Sequence, residues 1–247
     1  MGTIERPNDD ANGGGGAPPA AGEPLCVIVA ARDEGERIAA TLSALAEAFP
    51  AAALFVADDG SRDGTARVAA GAGASVVGAG RPRGKGGAMT AAAGRALART
   101  PGGPSDVWLL CDGDLGSSAA RLGPLTSAVA AGECELAVAA FERRVGGGFG
   151  IALGFAGWAI RRGCGLRTRA PISGQRALDR ATLERVLPFA DGFGMEVGMT
   201  IDAVRAGARV AEIELALTHR ATGRSARGFL HRGRQLLDFA RAYARRR

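Results

Sequence analysis

The sequence predicts an α/β fold, a mostly parallel central sheet flanked by helices within a single domain. Three observations lead there. The chain has 247 residues, 47% of them hydrophobic, enough for one substantial core but not comfortably for two. Short apolar runs alternate along it with stretches of helical periodicity, the βα repeat that packs into a parallel sheet. Three of those runs end on charged clusters, and open α/β sheets bind ligands beyond the carboxyl ends of their strands.

Residues 1–24 hold Gly13 to Gly16, Pro18 and Pro19 and few large apolar side chains, so a disordered tail is expected there. The domain is expected over 25–226. Leu25 to Ala31 is a continuous apolar run, suited to a buried parallel strand. Ile38, Leu42, Leu45 and Phe49 then recur at helical spacing. Leu54 to Ala57 is the second strand, followed by a short helix, and Ala74 to Val77 is the third. A loop from Arg81 to Gly87 leads into an Ala-rich helix that runs to Arg99. Val107 to Cys111 runs straight into Asp112, and a further helix precedes Leu136 to Ala139. Beyond that point the pattern loosens: a helix over Gly150 to Ile160, a strand over Ile172 to Leu178, a helix over Met195 to Arg205 and a strand over Val210 to Leu217.

The charge count is 31 basic against 25 acidic residues, +6 overall. It is unevenly placed, with nine arginines and one acid, Asp238, from Arg220 to Arg247. A basic end predicts an anionic partner. Residues 227–247 interleave Phe229, Leu230, Leu236, Leu237, Phe239 and Tyr243 with Arg, a basic amphipathic helix. Such a helix either lies on an anionic membrane or buries its apolar face on the sheet. Nucleic acid is not the expected partner, because no aromatic stripe accompanies the arginines. No signal-peptide pattern and no uninterrupted apolar span appear. The expected location is the cytoplasm, with peripheral attachment to the inner face of the plasma membrane as the further option. Cys26, Cys111, Cys134 and Cys164 form no C-x-x-C pair and read as free thiols.

The charged strand ends are Arg32-Asp33-Glu34, Asp58-Asp59-Gly60-Ser61 and Asp112-Gly113-Asp114. Each could be a helix cap alone. Together they read as a site. Two carboxylates at i and i+2 around a glycine can meet on one hard cation, Mg²⁺ or Mn²⁺, which also binds a diphosphate. Lys85 is the sole lysine in the chain. Set within Arg81-Pro82-Arg83-Gly84-Lys85-Gly86-Gly87, it suggests a compact ammonium in a tight glycine segment, with glycines that let backbone approach a phosphate.

These motifs resemble a family 2 glycosyltransferase of GT-A fold, and within it the polyprenyl-phosphate hexose synthase branch. The resemblance rests on Ala30-Ala31-Arg32-Asp33-Glu34, on Ala57 to Thr65, on Gly84-Lys85-Gly86 and on Asp112 and Asp114. Further along, Ser173-Gly174-Gln175-Arg176, Gly192-Phe193-Gly194-Met195-Glu196 and Arg220 to Ser225 continue it in the family's order. It implies a metal-dependent transfer of a hexose from a nucleoside-diphosphate sugar to an acceptor, a polyprenyl phosphate in that branch, with inversion as the simpler course. It implies that Ala31, Arg32, Glu34, Asp58, Asp59, Gly60, Ser61, Lys85, Gly86 and Asp112 surround the nucleotide. Asp112 and Asp114 would hold the metal, completed by His219. Asp114 and Glu196 would act in catalysis, Glu196 beside the acceptor. Four positions depart from the pattern. Asp33 replaces Asn, Gly116 a metal-binding Gln, Ala170 an Asp, and Gln175 an aromatic. The alternatives are a sugar-phosphate nucleotidyltransferase and a non-catalytic nucleotide-sugar-binding protein on the same fold.

Overall fold

The computed structural model describes residues 25–78, 80–100, 102–103, 106–141, 150–217 and 236–246. Seven strands form one sheet in the order β3-β2-β1-β4-β6-β5-β7. They are β1 (Leu25–Ala31), β2 (Ala53–Asp58), β3 (Ser75–Gly78), β4 (Val107–Asp112), β5 (Leu136–Phe141), β6 (Arg176–Asp179) and β7 (Val210–Leu215). The helices are α1 (Ile38–Ala48), α2 (Thr65–Gly71), α3 (Gly84–Leu97), α4 (Gly123–Ala130), α5 (Gly150–Cys164), α6 (Arg180–Val186) and α7 (Met195–Arg205). A last helix, α8, covers 236–244.

Helices cover both faces of the sheet, so its strands are apolar throughout. In β1, Cys26 and Ile28 enter one core, whereas Leu25, Val27 and Val29 enter the other. In β4, Trp108 and Leu110 face the first core, and Leu109 and Cys111 the second. Ile38, Leu42 and Leu45 of α1 pack on the second face. The first face takes Met89 of α3, Ile160 of α5, Val197 and Ile201 of α7, and Phe239 and Tyr243 of α8.

The chain winds outward through β1, β2 and β3, then crosses back to place β4 on the other side of β1. The crevice that opens at such a reversal is where ligands bind in doubly wound sheets. Both neighbours of β1 are parallel to it, with Ala31 opposite Asp58 and Ala30 opposite Asp112. At about 4.8 Å between strands, the two acidic ends therefore flank β1 closely.

β6 breaks the parallel pattern, running antiparallel to both β4 and β5. It is also shorter than the run Ile172 to Leu178 suggested, since Ile172 to Gln175 lie outside the ladder. Its direction matters to the site. An antiparallel strand brings its beginning to the carboxyl ends of its neighbours, so Ser173-Gly174-Gln175 arrives beside Asp112.

The expected loop through Arg81 to Gly87 is also corrected. α3 begins at Gly84, which puts Lys85 in a first helical turn. Close packing accounts for the glycines. A Cβ on Gly86 would lie 1.8 Å from the carbonyl oxygen of Ala190, and Gly84 (φ 74°) would press on Gly192.

Candidate active site

The sheet and two helices bring Lys85, Asp112 and Glu196 together. Lys85 Nζ lies 2.6 Å from Asp112 Oδ1 and 2.7 Å from Glu196 Oε1. Burial alone would strip the proton from this ammonium, but Asp112 and Glu196 outweigh it and raise its pKa. Gln175 Nε2 donates to the other oxygen of Asp112 at 2.8 Å. Gly174 leaves room for this, because a Cβ there would sit 2.4 Å from Asp112 Oδ2 and 2.6 Å from Lys85 Nζ. Asp112 is thus held on both oxygens, with its side chain one-third exposed (32%).

The Asp112-Gly113-Asp114 turn is pinned from beneath. Thr41, buried on α1, donates to the carbonyl of Gly113 at 2.8 Å and accepts from the amide of Gly116 at 2.9 Å. The amide of Gly113 donates to the carbonyl of Ala30 at 2.9 Å. Gly113 has no space for a side chain, with Ile38 and that same carbonyl near 3 Å. Gly116 has φ 55°, where a longer residue is strained, so its backbone accounts for the departure from Gln. Asp114 is half-buried beside Asp112.

The second acidic end is held mostly by backbone amides. The amide and hydroxyl of Ser61 both donate to Asp58 Oδ1. Asp59 accepts from the amide of Arg83 at 2.6 Å and from Arg32 at 3.0 Å. It thereby ties the turn after β1 to the approach to α3. The amide of Glu34 donates to Thr65 Oγ1 at 2.9 Å. Asp33 has φ 54°, the one non-glycine residue at positive φ among those described. Asp and Asn share a tolerance for that region, so Asp33 keeps the turn that Asn would make. Its carboxylate accepts from the amide of Arg62 at 2.8 Å.

Glu196 opens α7, and α8 braces the turn before it. Asp238 accepts from the amide of Phe193 at 3.2 Å. A Cβ on Gly192 would lie 2.2 Å from that carboxylate, and one on Gly194 would meet Ala242 at 2.8 Å. Arg246 pairs with Asp202 at 2.6 Å, and Tyr243 lies against Trp158 with ring centroids 5.2 Å apart. The apolar side of α8, Phe239, Ala242 and Tyr243, is buried in the protein. Leu237 of the same helix is exposed, and Phe229 and Leu230 of the predicted 227–247 helix lie outside the described residues.

This arrangement carries the motif order of a nucleotide-sugar enzyme, and the comparisons agree. The family model for glycosyl transferase family 2 matches residues 26–183. The chain belongs to that family. It is a glycosyltransferase of GT-A type. Crystal structures of the glucosyl-3-phosphoglycerate synthase of Mycobacterium tuberculosis are similar to it over nearly its whole length. The complex of that enzyme with Mn²⁺ and UDP-glucose is 28% identical, with a TM-score of 0.72 over 98% of this chain and 86% of that one. Its complex with Mg²⁺ and UDP is 28% identical, with a TM-score of 0.71 over 91% and 80%. Its complex with Mn²⁺, UDP and glucosyl-3-phosphoglycerate is 26% identical, with a TM-score of 0.69 over 91% and 81%. No curated protein matches the chain.

Of the residues expected from sequence, Lys85, Asp112 and Glu196 meet directly. Gly86 supports that meeting through packing. Ala31 ends β1 opposite Asp58, with Arg32 and Glu34 on the turn that follows it, and Asp58, Asp59, Gly60 and Ser61 lie across β1 from Asp112. His219 falls outside the described residues, as do Arg220 to Ser225. Among the described residues, no three of His, Cys, Asp and Glu converge as a metal cage, and no helix is long and apolar enough to cross a membrane. Sequence reasoning passed over Thr41 and gave Gln175 no role. A hydroxyl among Ile38, Leu42 and Leu45 on one helix face was the available signal for Thr41. Gln175 had none, because its partner is 63 residues away.

Proposed function

We propose that the protein transfers a hexose from a nucleoside-diphosphate sugar, with UDP-glucose the first donor to try, to a small phosphorylated hydroxy acid. The observation that carries this reading is the Asp112–Lys85–Glu196 contact. It joins the strand end that would face the donor to a helix that would face the acceptor.

Asp58 and the turns after β1 and β2 supply oxygens and amides where a base and ribose would lie. Lys85 stands beside Asp112 as the cation nearest the leaving diphosphate. The donor set fits a divalent cation, because a carboxylate at a strand end is a hard oxygen ligand. Mg²⁺ and Mn²⁺ need only one or two such ligands when phosphate and water complete the shell. Asp112 and Asp114 are the carboxylates that would hold the ion, with His219 as a further proposed ligand. When bound, the ion neutralises charge on the departing nucleoside diphosphate. Glu196 would orient the attacking hydroxyl and accept its proton.

The acceptor reading has two supports. The similar mycobacterial enzyme was crystallised with glucosyl-3-phosphoglycerate and, in another complex, with UDP-glucose and phosphoglyceric acid. In this chain Phe239, Ala242 and Tyr243 of α8 are spent on internal packing, which leaves less of that helix for contact with a polyprenyl phosphate at a membrane surface.

The test is a donor screen over UDP-, GDP- and dTDP-sugars with Mn²⁺, run with 3-phosphoglycerate and, separately, with polyprenyl phosphate in detergent. Transfer to phosphoglycerate, a melting-temperature rise with UDP and Mn²⁺, and loss of that rise in Asp114→Ala support the reading. Transfer only to the lipid corrects the acceptor. No thermal shift with any nucleotide overturns the donor half. NMR of the product's anomeric proton reads whether the displacement inverts the sugar carbon.

A further inference from the structure

One buried charge is left over from that mechanism. Arg176 opens β6 opposite Leu110, two residues before Asp112, and is only 1% exposed. Its Nε donates to the carbonyl of Ser173 at 2.8 Å. Its Nη1 donates to Thr200 Oγ1 at 2.8 Å, and that hydroxyl donates to the carbonyl of Glu196 at 2.9 Å. Nη2 is buried without a hydrogen-bond partner among the described residues.

A buried guanidinium is costly unless other groups need it there. Burial pulls its pKa down to about 10, while Glu196 and then Glu212 hold it up, so it remains charged at neutral pH. Glu212 is already committed. It accepts from the amides of Arg169 at 2.9 Å and Ala170 at 3.0 Å, and so secures the segment that leads into Ser173. Both carboxylates act on the guanidinium through space, Glu196 more strongly than Glu212.

The two fixed bonds point in different directions. One holds the Ser173-Gly174-Gln175 turn, whose Gln175 grips Asp112. The other holds the first turn of α7, which carries Glu196. A planar guanidinium can span both, whereas a lysine ammonium is a point charge on a flexible stem and does not reproduce the fork.

We propose that Arg176 is a positioning residue that sets Glu196 and the Gln175–Asp112 pair at their working separation, acting through Thr200 and the Ser173 carbonyl. This rests on the reading of Asp112 as donor-side and Glu196 as acceptor-side. It assigns Arg176 no contact with substrate.

The experiment uses the full chain with Arg176→Met, Arg176→Lys and Thr200→Val. Transfer kinetics are measured alongside nucleotide–Mn²⁺ binding by calorimetry. A third readout is independent of activity: acylation of Lys85, the chain's sole lysine, followed by peptide mass spectrometry. Lys85 is protonated and screened by Asp112 and Glu196, so displacement of Glu196 exposes a better nucleophile.

In Arg176→Met and Thr200→Val, kcat should fall about 10- to 100-fold, the scale of a displaced reacting group. Lys85 acylation should rise severalfold in both. In Thr200→Val, which breaks only the arm to α7, donor KM and nucleotide binding should hold. Arg176→Lys should recover the melting temperature but not kcat. Wild-type kcat and Lys85 acylation in folded Thr200→Val would overturn the proposal. So would full recovery of kcat by Lys, or a parallel loss of nucleotide binding in Thr200→Val. If Arg176→Met does not fold, Thr200→Val decides. If the wild type transfers to no acceptor, the functional reading fails, and Lys85 acylation still decides the role of Arg176.

Discussion

The two sides of the site are held by different means. On the donor side, Asp33, Asp58, Asp59 and Asp63 accept largely from backbone amides of neighbouring turns, with Asp58 and Asp59 buried at the end of a parallel strand and Asp33 and Asp63 exposed. On the acceptor side, Ser173, Gln175, Arg176, Glu196 and Thr200 are buried. They bond mainly to one another and to residues distant in sequence. The first is a set of loops that a ligand can adjust. The second is a polar network in a low-dielectric interior, where each member depends on the next. A change on the donor side should therefore loosen binding, whereas one on the acceptor side should slow the chemistry.

The sharpest way to break that contrast is a pair of substitutions. Glu196→Gln keeps the shape but removes the carboxylate, and transfer should fall about 10²- to 10⁴-fold, the usual range for a lost general base. Nucleotide binding by calorimetry should be preserved. Asp59→Ala removes the acceptor that links Arg32 to the amide of Arg83. Donor KM should rise about tenfold, matching the loss of a charge-assisted hydrogen bond, with kcat little changed. If both variants lose affinity and rate together, the two sides are one cooperative unit.

A smaller effect is expected where the two sides touch through backbone. Gly86→Ala places a methyl against the carbonyl of Ala190, joining α3 to the turn before Glu196. The overpacking should cost about 1–3 kcal/mol and lower the melting temperature by several degrees, about 2–4 °C per kcal/mol for a chain near this size. An unchanged melting temperature would mean that the contact yields freely.

The smallest effect concerns the shared core. Burial pushes the Cys26 thiol up to about 12, with Arg180 opposing weakly. Burial likewise pushes Cys134 up to about 11, and Cys111 is also raised. The unfolded thiols titrate near about 8.5. The folded state thus holds protons that the unfolded state releases above that pH. The associated stability is intact below pH 8.5 and declines as pH climbs toward 11–12. Denaturant midpoints measured from pH 8 upward should fall, and Cys→Ser variants at these sites should flatten the fall. Alkylation of the native protein at pH 8 should spare Cys26, Cys111 and Cys134.

Much of the fold was legible in the chain. The apolar runs of β2 and β4 end on Asp58 and Asp112, that of β1 leads into Arg32-Asp33-Glu34, and runs so uniformly apolar suit a sheet covered on both faces. Two of the departures, Asp33 and Gly116, sit at positive φ, a conformation that Asp, Asn and Gly tolerate best. β6 was the least legible element. Its length and direction depend on β4 and β5, and four residues of its apparent run are diverted to the site edge. The helix start at Gly84 was hidden because glycines read as loop until a neighbour needs their missing side chains.

The sequence by itself determined the sheet's order of βα units, the three acidic strand ends and the single lysine. These follow from local pattern, in which burial of a strand and the residue at its end lie within a few positions of each other. Tertiary structure alone decided which of those charges meet. The contact of Lys85 with Asp112 and Glu196, the clasp of Gln175 on Asp112, and the reach of Arg176 to Thr200 all span 24 residues or more. Such contacts arise from an antiparallel strand set among parallel neighbours and from helices packed without room for a Cβ. Neither condition can be read from spacing along the chain.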